Sequence, residues 1–561
     1  MNAIKAIAAV AVCAALLPLS AGQRFDVLLN MVHDNPGEAP WITPYKDPAA
    51  LKRLGYTGEV VKMEPQCGLT FDHYAPGVVR QQSEERIWIE RKAAEFRKFL
   101  AIAKKSGMPV YPHLDMLVVP KSVMDAFGGE MKGSKCRLTI AKPRTQEIVR
   151  AQLDELFWRY PDLGGIVVRF GETYLHDTPF HVGGRPVHNP ADHEKLINLL
   201  REEVCVKRGK KVFYRTWDFG QLHTQPKLYH AAFDRVEPHT NLYISVKHTN
   251  YDFCRGKPFN TTLGLGRVQQ IVEVSVNQGG LYGKNAYPYY FAKGVIDGFN
   301  DMPSASRRGV RSLLGDEKVR GLWLWTWGDG WKGPYFDNEM WMDLNEAVLR
   351  GFALHPERRE EALFMSAAKE RFGLSDADAR KFRQFCLLTE DAVYKGQHTS
   401  LAHIPNQEWW CRDHFFCSVD LAPALKAGRL KAVLDEKREA VGLWRELERR
   451  IGEIHFSDAA DEEFARVSTT YGRIKYEISE IIWRICGRLA EERVEKRPLT
   501  KEEATAFLAE FDGKWGEWEA LKASSPCCPT LYQIRCSVQH YVSAPLFGTV
   551  IDRLRKISTD K

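Results

Sequence analysis

The stretch GIVVRFGETYLHD, residues 165–177, indicates how this chain folds. It begins as an apolar, β-branched run typical of a buried strand, and it delivers Arg169 and Glu172 just before a polar loop. Further apolar runs lie between Arg24 and about His355, separated by segments of helical character: FDVLLNMVHD, GEVVKME, MPVYPHLD, KKVFYRTWDF, NLYISVKHTNYDF, QQIVEVSVNQ and RGLWLWTWGDG. Strands that alternate with helices form parallel α/β sheets, and eight such units predict a (β/α)8, or TIM, barrel.

The segments between the apolar runs carry signals of helix ends. In residues 83–107, Ser83 is a candidate N-cap, and Glu84 and Glu85 place negative charge in the first turn. Gly107 then stops the helix, as a residue that tolerates the left-handed region commonly does. These segments therefore predict the helices of the barrel.

The sequence changes character from about Pro356 onward. Long, charged amphipathic segments follow, and their Trp and Leu stripes favour core packing between helices over a binding role. We therefore expect a signal peptide over residues 1–23, a catalytic (β/α)8 barrel over residues 24–355 and an all-α C-terminal domain over residues 356–561.

The N-terminus has the pattern of a secretory signal peptide. Lys5 precedes an apolar run too short to span a bilayer as a helix, and cleavage is expected near Gly22. A lipoprotein signal using Cys13 is disfavoured, because Val12 before it is larger than such processing normally accepts. No later stretch could cross a membrane, so we expect a protein exported to the periplasm or the cell exterior, without a membrane span.

Charge, cysteines and histidines exclude some partners. The formal net charge of +7 comes without a long basic run, so nucleic-acid binding is not expected. The twelve cysteines, eleven after cleavage, show no zinc-like CxxC pairing. A metal site would need His33, His113 and His248 at strand ends, but there is no HxH pair, and we expect no metal and no cofactor.

Active sites of such barrels lie at the carboxyl ends of the strands, which is where Glu172 falls. The other predicted strand ends also carry polar groups: Asp34, Glu64, Asp115, Arg215 with Asp218, Lys247 with Asp252, Gln278 and Asp329. Tryptophans accompany the fifth and eighth strands: Trp217, Trp323, Trp325, Trp327 and Trp331. Aromatic faces beside carboxylates suit sugar rings, although packing is the simpler interpretation for at least half of them.

Two carboxylates across a pocket can hydrolyse a glycosidic bond. One protonates the leaving oxygen, while the other activates water or attacks the anomeric carbon. The pair best placed for this is Glu172 and Asp252. For any single carboxylate at a strand end, a structural salt bridge is an equally good interpretation.

The chain resembles the catalytic barrel of glycoside hydrolase family 67, the α-glucuronidases. The similarity extends over about Gly165 to Leu363 in five ordered runs: VVRFGETY, VFYRTWDFG, ISVKHTNYDFCRGKPFN, IVEVSVNQGG and WTWGDGWKGPYFDNEMWMDLNEAVLRGFALHPERREEAL. That family follows its barrel with a helical domain that can mediate dimerisation. The resemblance therefore also implies a homodimer through the C-terminal helices.

The resemblance implies roles for individual residues. The general acid of the family falls on Glu172 and a base falls on Asp252, which in this inverting family activates water. The cations around the substrate carboxylate fall on Arg215 and Lys247, with Arg169 close to a third. Three cations suit an anionic sugar, because a buried carboxylate must be paired to offset its desolvation. Alternatively, Arg169 pairs with a nearby acid and tunes it.

The chain also departs from the family pattern. A second carboxylate that the family carries after strand seven corresponds to Gly279 here, and Asp218 or Asp329 could replace it from neighbouring strands. Glu273, earlier on the same strand, is expected to be a buried structural acid. The barrel is also expected to follow the signal peptide directly, without the N-terminal domain of the family.

These features lead to one hypothesis, an exported, exo-acting glycoside hydrolase that removes an α-linked uronic acid of the glucuronic acid type from polysaccharide fragments. Trp217, Asp218, Trp327 and Asp329 would join the cations in binding the oligosaccharide or polysaccharide substrate. The alternatives are a glycosidase for another sugar and a catalytically inactive carbohydrate-binding protein. The aromatic segment of residues 398–417 is either a loop that reaches the barrel mouth or a packed domain interface.

Overall fold

The computed structural model describes residues 25–33, 42–62, 64–170, 178–217, 222–251, 253, 257–276, 286–302, 307–328, 338–405, 407, 419–527 and 548–559. The expected signal peptide lies outside these residues and stays a prediction, as does the domain boundary at residues 355 and 356. Within the described ranges, no helix combines the length and the apolar character that crossing a bilayer requires.

Eight parallel strands close into a barrel. The strands described are β1 (Val27–His33), β2 (Gly58–Val61), β3 (Val110–Asp115), β4 (Val118–Pro120), β5 (Gly165–Arg169), β6 (His181–Gly183), β7 (Lys211–Arg215), β8 (Leu242–Lys247), β9 (Gln269–Ser275) and β10 (Val319–Gly328). All except β4 and β6 belong to the barrel, and β10 pairs with β1 to close it. Each predicted apolar run supplies one barrel strand, which confirms the (β/α)8 fold.

Side chains fill the barrel interior. Towards the amino ends of the strands, the Tyr111 ring meets Phe213 edge-on at 5.1 Å between centroids, and Phe213 stacks on Tyr243 at 5.0 Å. Gly165 begins β5 where two strands approach closely, since an added Cβ would lie 1.9 Å from the carbonyl oxygen of Lys211. The interior at the amino ends of the strands is thus largely aromatic. Charged side chains of the interior lie nearer the carboxyl ends.

Helices connect the barrel strands. They are α1 (Pro48–Arg53), α2 (Glu84–Lys105), α3 (Lys121–Met131), α4 (Pro143–Arg159), α5 (Pro190–Leu200), α6 (Pro226–Phe233), α7 (Ala292–Asp297) and α8 (Met340–Leu354). The predicted ends of α2 are confirmed. The Ser83 hydroxyl accepts the Arg86 amide at 3.1 Å, and Gly107, just beyond the helix, has a φ of +64°.

The rest of the described chain is helical, as the sequence predicts. The helices are α9 (Glu360–Phe372), α10 (Asp376–Gln397), α11 (Ala422–Lys426), α12 (Leu430–Ile451), α13 (Ala459–Glu495), α14 (Lys501–Ser524) and α15 (Gly548–Thr559). Polar contacts attach these helices to α8. Trp341 donates its indole N–H to Ser468 at 3.0 Å, and Arg371 bridges Asp343 at 2.7 Å and Asp461 at 3.3 Å.

A two-stranded antiparallel sheet, β4 with β6, lies beside α2 and buries a histidine. The His181 ring lies 5.3 Å from the Trp88 ring, and neither of its nitrogens has a hydrogen-bond partner within the described ranges. Burial, with a smaller contribution from Lys121, lowers the pKa of His181 to about 3. The folded protein therefore holds this histidine in its neutral form.

Stability is expected to fall in mild acid because of His181. An unfolded histidine with the ordinary pKa of 6.5 binds a proton below that pH, whereas the folded side chain does so only near pH 3. Its contribution to the free energy of unfolding is therefore full above pH 6.5 and declines towards pH 3, by up to about 1.4 kcal/mol per pH unit. When the pH is lowered from 7 to 5, the free energy of unfolding of His181→Leu should fall by about 2 kcal/mol less than that of the wild type, as measured by chemical denaturation.

Glu59 provides a control of opposite sign. Its side chain is buried in β2, and burial, followed by the charge of Asp47, raises the pKa of Glu59 to about 8. The folded carboxyl thus keeps its proton, and its contribution to stability declines as pH rises from 4.5 to 8. When the pH is lowered from 7 to 5, the wild type gains stability from Glu59 that Glu59→Gln lacks. The change in the free energy of unfolding of the variant should therefore be less favourable by about 2 to 3 kcal/mol. Shifts in the same direction for both variants would contradict these assignments.

Candidate functional site

Four of the predicted site residues have described side chains. Arg169, Arg215 and Lys247 are the last residues of β5, β7 and β8, the fourth to sixth barrel strands, and Trp217 follows β7 by two residues. All four are buried. Several other predicted positions lie outside the described residues: Glu172, Asp218, Asp252, Gly279 and Asp329. Trp327 belongs to β10, but its side chain is not described.

Arg169 forms a buried ion pair with Asp115. Parallel pairing of β3 with β5 sets the two residues side by side. The guanidinium Nε and Nη2 donate to the two carboxylate oxygens at 2.5 and 2.7 Å, which is a bidentate geometry. The alternative interpretation of Arg169 was that it pairs with a nearby acid, and Asp115 is such an acid.

Arg215 forms a second buried pair, with Glu273. Its Nε and Nη2 donate to the carboxylate at 2.9 and 2.7 Å, and Ser245 donates its hydroxyl to the same carboxylate at 2.8 Å. The third guanidinium nitrogen, Nη1, donates to His113 Nε2 at 3.1 Å. Arginine carries only donors, so Nε2 must accept and the proton of a neutral His113 must sit on Nδ1. Glu273 is fully buried, which confirms the prediction of a buried acid.

Two tryptophans of β10 pack against Arg215. The guanidinium carbon lies 5.2 Å from the centroid of Trp323 and 4.9 Å from that of Trp325. The two rings lie 5.3 Å apart, and both meet His113 edge-on. Contact with the π faces favours the charged guanidinium, and both indoles are part of the packed interior.

Lys247 lies among aromatic rings. Its ammonium is 4.0 Å from the centroid of Trp217, 4.3 Å from Phe253 and 5.9 Å from Trp325. Trp217 also meets Tyr251 edge-on at 5.8 Å. One described role of the Trp217 ring is therefore to hold the lysine ammonium by a cation–π contact.

Register explains why these groups meet. Side chains two residues apart on a strand point to the same face, so Ser245 and Lys247 both face the interior, and Lys247 lies opposite Glu273 on β9. Ser245 and Phe253 escaped the sequence analysis, although the alternation along β8 is the signal that could have identified Ser245. In the part of the chain that the structure describes, no group of three or more His, Cys, Asp or Glu could hold a metal ion.

The described charged groups of this layer include three cations, Arg169, Arg215 and Lys247, and two acids, Asp115 and Glu273. Charges in a buried layer are only weakly screened by solvent. The arrangement can support groups at the strand ends, and its cations can take part in binding a negatively charged ligand there.

Comparison with solved structures finds a fold likeness over most of the chain. A GH138 enzyme targeting pectin rhamnogalacturonan II superposes with a TM-score of 0.58 at 13% sequence identity, over 91% of this chain. The chain spans 63% of the length of that structure. At this identity the likeness concerns the fold alone.

Other solved structures are less similar. The GH20 β-N-acetylhexosaminidase from Streptomyces coelicolor A3(2) matches with a TM-score of 0.29 and 14% identity, over 66% of this chain and 69% of that one. The Flavobacterium johnsoniae chitobiase matches with a TM-score of 0.31 and 10% identity, over 95% and 78%. Comparison with family models and with curated proteins finds no match, so the resemblance to family 67 stays an expectation.

Proposed function

We propose that the protein is a glycoside hydrolase that removes an α-linked uronic acid from polysaccharide fragments. The hydrolase part is supported by the closed barrel, by acids, cations and aromatic rings at the carboxyl ends of its strands, and by the fold likeness to an enzyme targeting pectin. Fold alone does not imply function, so the chemistry of the site carries the specificity.

The observation that carries the uronic acid specificity is the convergence of three buried cations at the ends of neighbouring barrel strands. Arg169 and Arg215 each meet a carboxylate in bidentate geometry, and Lys247 adds a third cation at the same level. A uronic acid brings a carboxylate that needs a cation once water is excluded. We therefore propose that Arg215 and Lys247, with Arg169 close by, contribute to binding the substrate carboxylate.

The proposed mechanism is inversion by two carboxylates. Glu172 would protonate the leaving oxygen, and Asp252 would deprotonate the attacking water. A general acid must keep its proton near neutral pH, which an apolar environment promotes. Such an environment for Glu172, which lies outside the described residues, is part of the proposal. Phe170, two residues earlier, is itself buried against the rings of Tyr214 and His193. Inversion requires roughly 6.5 to 9.5 Å between the carboxyl groups to admit the water.

A supporting carboxylate completes the proposal. Asp218 or Asp329 would take the place of the carboxylate that family 67 carries at the position of Gly279. The sequence also supports export to the periplasm or the cell exterior and a homodimer through the C-terminal helices, and we include both in the proposal.

Release of free uronate, followed by proton NMR, tests the proposal. Purified protein is mixed with glucuronic-acid-decorated xylo-oligosaccharides and, separately, with pectin fragments that carry α-linked uronic acid. The β-anomer of the free uronate is expected first, because inversion of an α-linkage yields it before mutarotation. Appearance of the α-anomer first would contradict inversion. Binding without release from any uronide would favour a carbohydrate-binding protein instead.

A further inference from the structure

The segment Ala286–Phe291, which precedes α7, lies between the barrel and the C-terminal helices. It follows the carboxyl end of β9 after residues 277–285, which the structure does not describe. At the other side of this connection, the amide of Val276 donates to the carbonyl of Trp325 at 2.9 Å and holds the end of β9. The segment therefore sets one end of the seventh βα connection, and such connections build the active sites of barrels.

The backbone of this segment is tied to α8 and α10. The Asn345 side-chain oxygen accepts the amide of Phe291 at 3.0 Å, and its nitrogen donates to the carbonyl of Tyr289 at 2.9 Å. The amide of Tyr290 donates to the Thr389 hydroxyl at 2.9 Å. The segment thus has contacts on both sides, one within the barrel region and one in the C-terminal helices.

The Tyr290 side chain reaches α9. Its hydroxyl donates to Glu360, which Arg383 holds with two hydrogen bonds at 2.8 and 2.6 Å. Tyr290 and Glu360 are buried. A buried phenol paired with a held carboxylate is a specific contact, because loss of either partner leaves a polar group unsatisfied.

Tyr287 reaches α13, where Lys475 meets it. The Lys475 ammonium is buried, donates to the Tyr287 hydroxyl at 3.1 Å and lies 4.5 Å from the centroid of the same ring. It also lies 4.4 Å from the ring of Tyr476, whose hydroxyl donates to that of Tyr287 at 3.3 Å. The ammonium is thus enclosed by two aromatic rings, a geometry that stabilises a charge withdrawn from water.

Tight packing holds the rings in place. Trp444 stacks on Tyr476 at 4.9 Å and meets Tyr287 edge-on at 5.7 Å. An added Cβ at Gly472 would lie 2.2 Å from the Trp444 ring, and one at Gly396 would lie 2.2 Å from Tyr476. Both positions therefore require glycine, and the cluster has little room for Tyr287 to take another place.

From this placement we propose that Lys475 is a positioning residue for the barrel. Through Tyr287 it fixes the segment Ala286–Phe291, which leads from the seventh βα connection into α7. The C-terminal helices then act on the barrel through this contact. The kinetic part of the inference rests on the proposed function, whereas the structural part does not.

Lys475→Met and Tyr287→Phe test this contact, and Lys437→Met is the matched control. Lys437 is equally buried and lies 4.5 Å from the Trp483 ring, but it caps the carbonyls of Lys395 and His398. Its described contacts include none to residues 286–292. Both lysine variants should lower thermal stability, because each removes a buried charge together with its hydrogen bonds.

Hydrogen exchange of peptides covering residues 286–297 gives a readout independent of activity. Lys475→Met should speed exchange there by about tenfold, whereas Lys437→Met should leave it within about twofold, because only the first removes a contact to the segment. Equal acceleration in both variants, or none in Lys475→Met, would overturn the inference.

Kinetics on a uronide provide the second readout. Lys475→Met is expected to lower kcat/KM by about tenfold, mostly through KM, since the proposed acid and base sit on other strands. Adding Tyr287→Phe to it should cost little more, because both changes remove the same contact. An additive double variant, or an equal loss in Lys437→Met, would overturn the kinetic part. Absence of turnover in the wild type would refute the proposed function and leave the exchange result to decide the inference.

Discussion

Glu172→Gln is expected to lower kcat by about 10²- to 10⁴-fold on an α-linked uronide with a sugar leaving group. An amide cannot donate the proton that a sugar alkoxide needs in order to depart. The loss should be much smaller on a 4-nitrophenyl uronide, because nitrophenolate leaves without protonation. Initial rates on both substrates measure the difference, and calorimetric binding of the uncleaved uronide should be largely unchanged.

Two variants frame this result. Asp252→Asn should reduce turnover of both substrates alike, because water must be activated whichever group departs. Glu95→Gln, on the exposed face of α2, should leave both rates near those of the wild type. Equal losses of Glu172→Gln on the two substrates would contradict the role of general acid and return Glu172 to a structural interpretation.

Glu273→Leu is expected to lower the free energy of unfolding by about 3 to 5 kcal/mol. The change removes both bidentate hydrogen bonds of Arg215 and leaves its guanidinium buried without that carboxylate. Breaking a buried pair on one side costs more than the pair contributes, because the remaining charge keeps its desolvation penalty. Chemical denaturation at pH 7 is the measurement.

The double variant Arg215→Met with Glu273→Leu distinguishes this cause from simple loss of packing. Removing both charges should restore a large part of the lost stability, so the two changes should be strongly non-additive. Asp26→Asn, which breaks the half-exposed pair with Arg320, should cost no more than about 1 kcal/mol. Additive costs in the double variant would show that the charge pair is not the source of the destabilisation.

The barrel was predictable because each strand is a continuous apolar run between segments of helical period. The two-stranded sheet of β4 and β6 was not, since its strands are only VVP and HVG, too short for any periodicity to appear. The end of α2 at Lys105 was predictable because a cap and a glycine stop are local signals. Local signals thus predicted the long strands and helices, but they did not predict strands of only three residues.

The positions of the site cations were predictable, but their partners were not. Arg169 meets an acid 54 residues earlier, and Arg215 meets one 58 residues later. Which acid faces which cation depends on the stagger between strands, which no single strand encodes. For the same reason the sequence could not decide between substrate binding and packing for Trp217. Its contact with Lys247 arises only when β7 and β8 lie side by side.

The Lys475 contact with Tyr287 also bears on how the chain matures during synthesis. The two residues are 188 positions apart. At a synthesis rate of roughly 5 to 20 residues per second, Lys475 is made roughly 10 to 40 s after Tyr287. During that interval the aromatic run around Tyr287 has no α13 to cover it. A nascent chain of this protein thus exposes an aggregation-prone apolar surface. A chaperone, or a secretion apparatus that keeps chains unfolded, would have to protect it from aggregation.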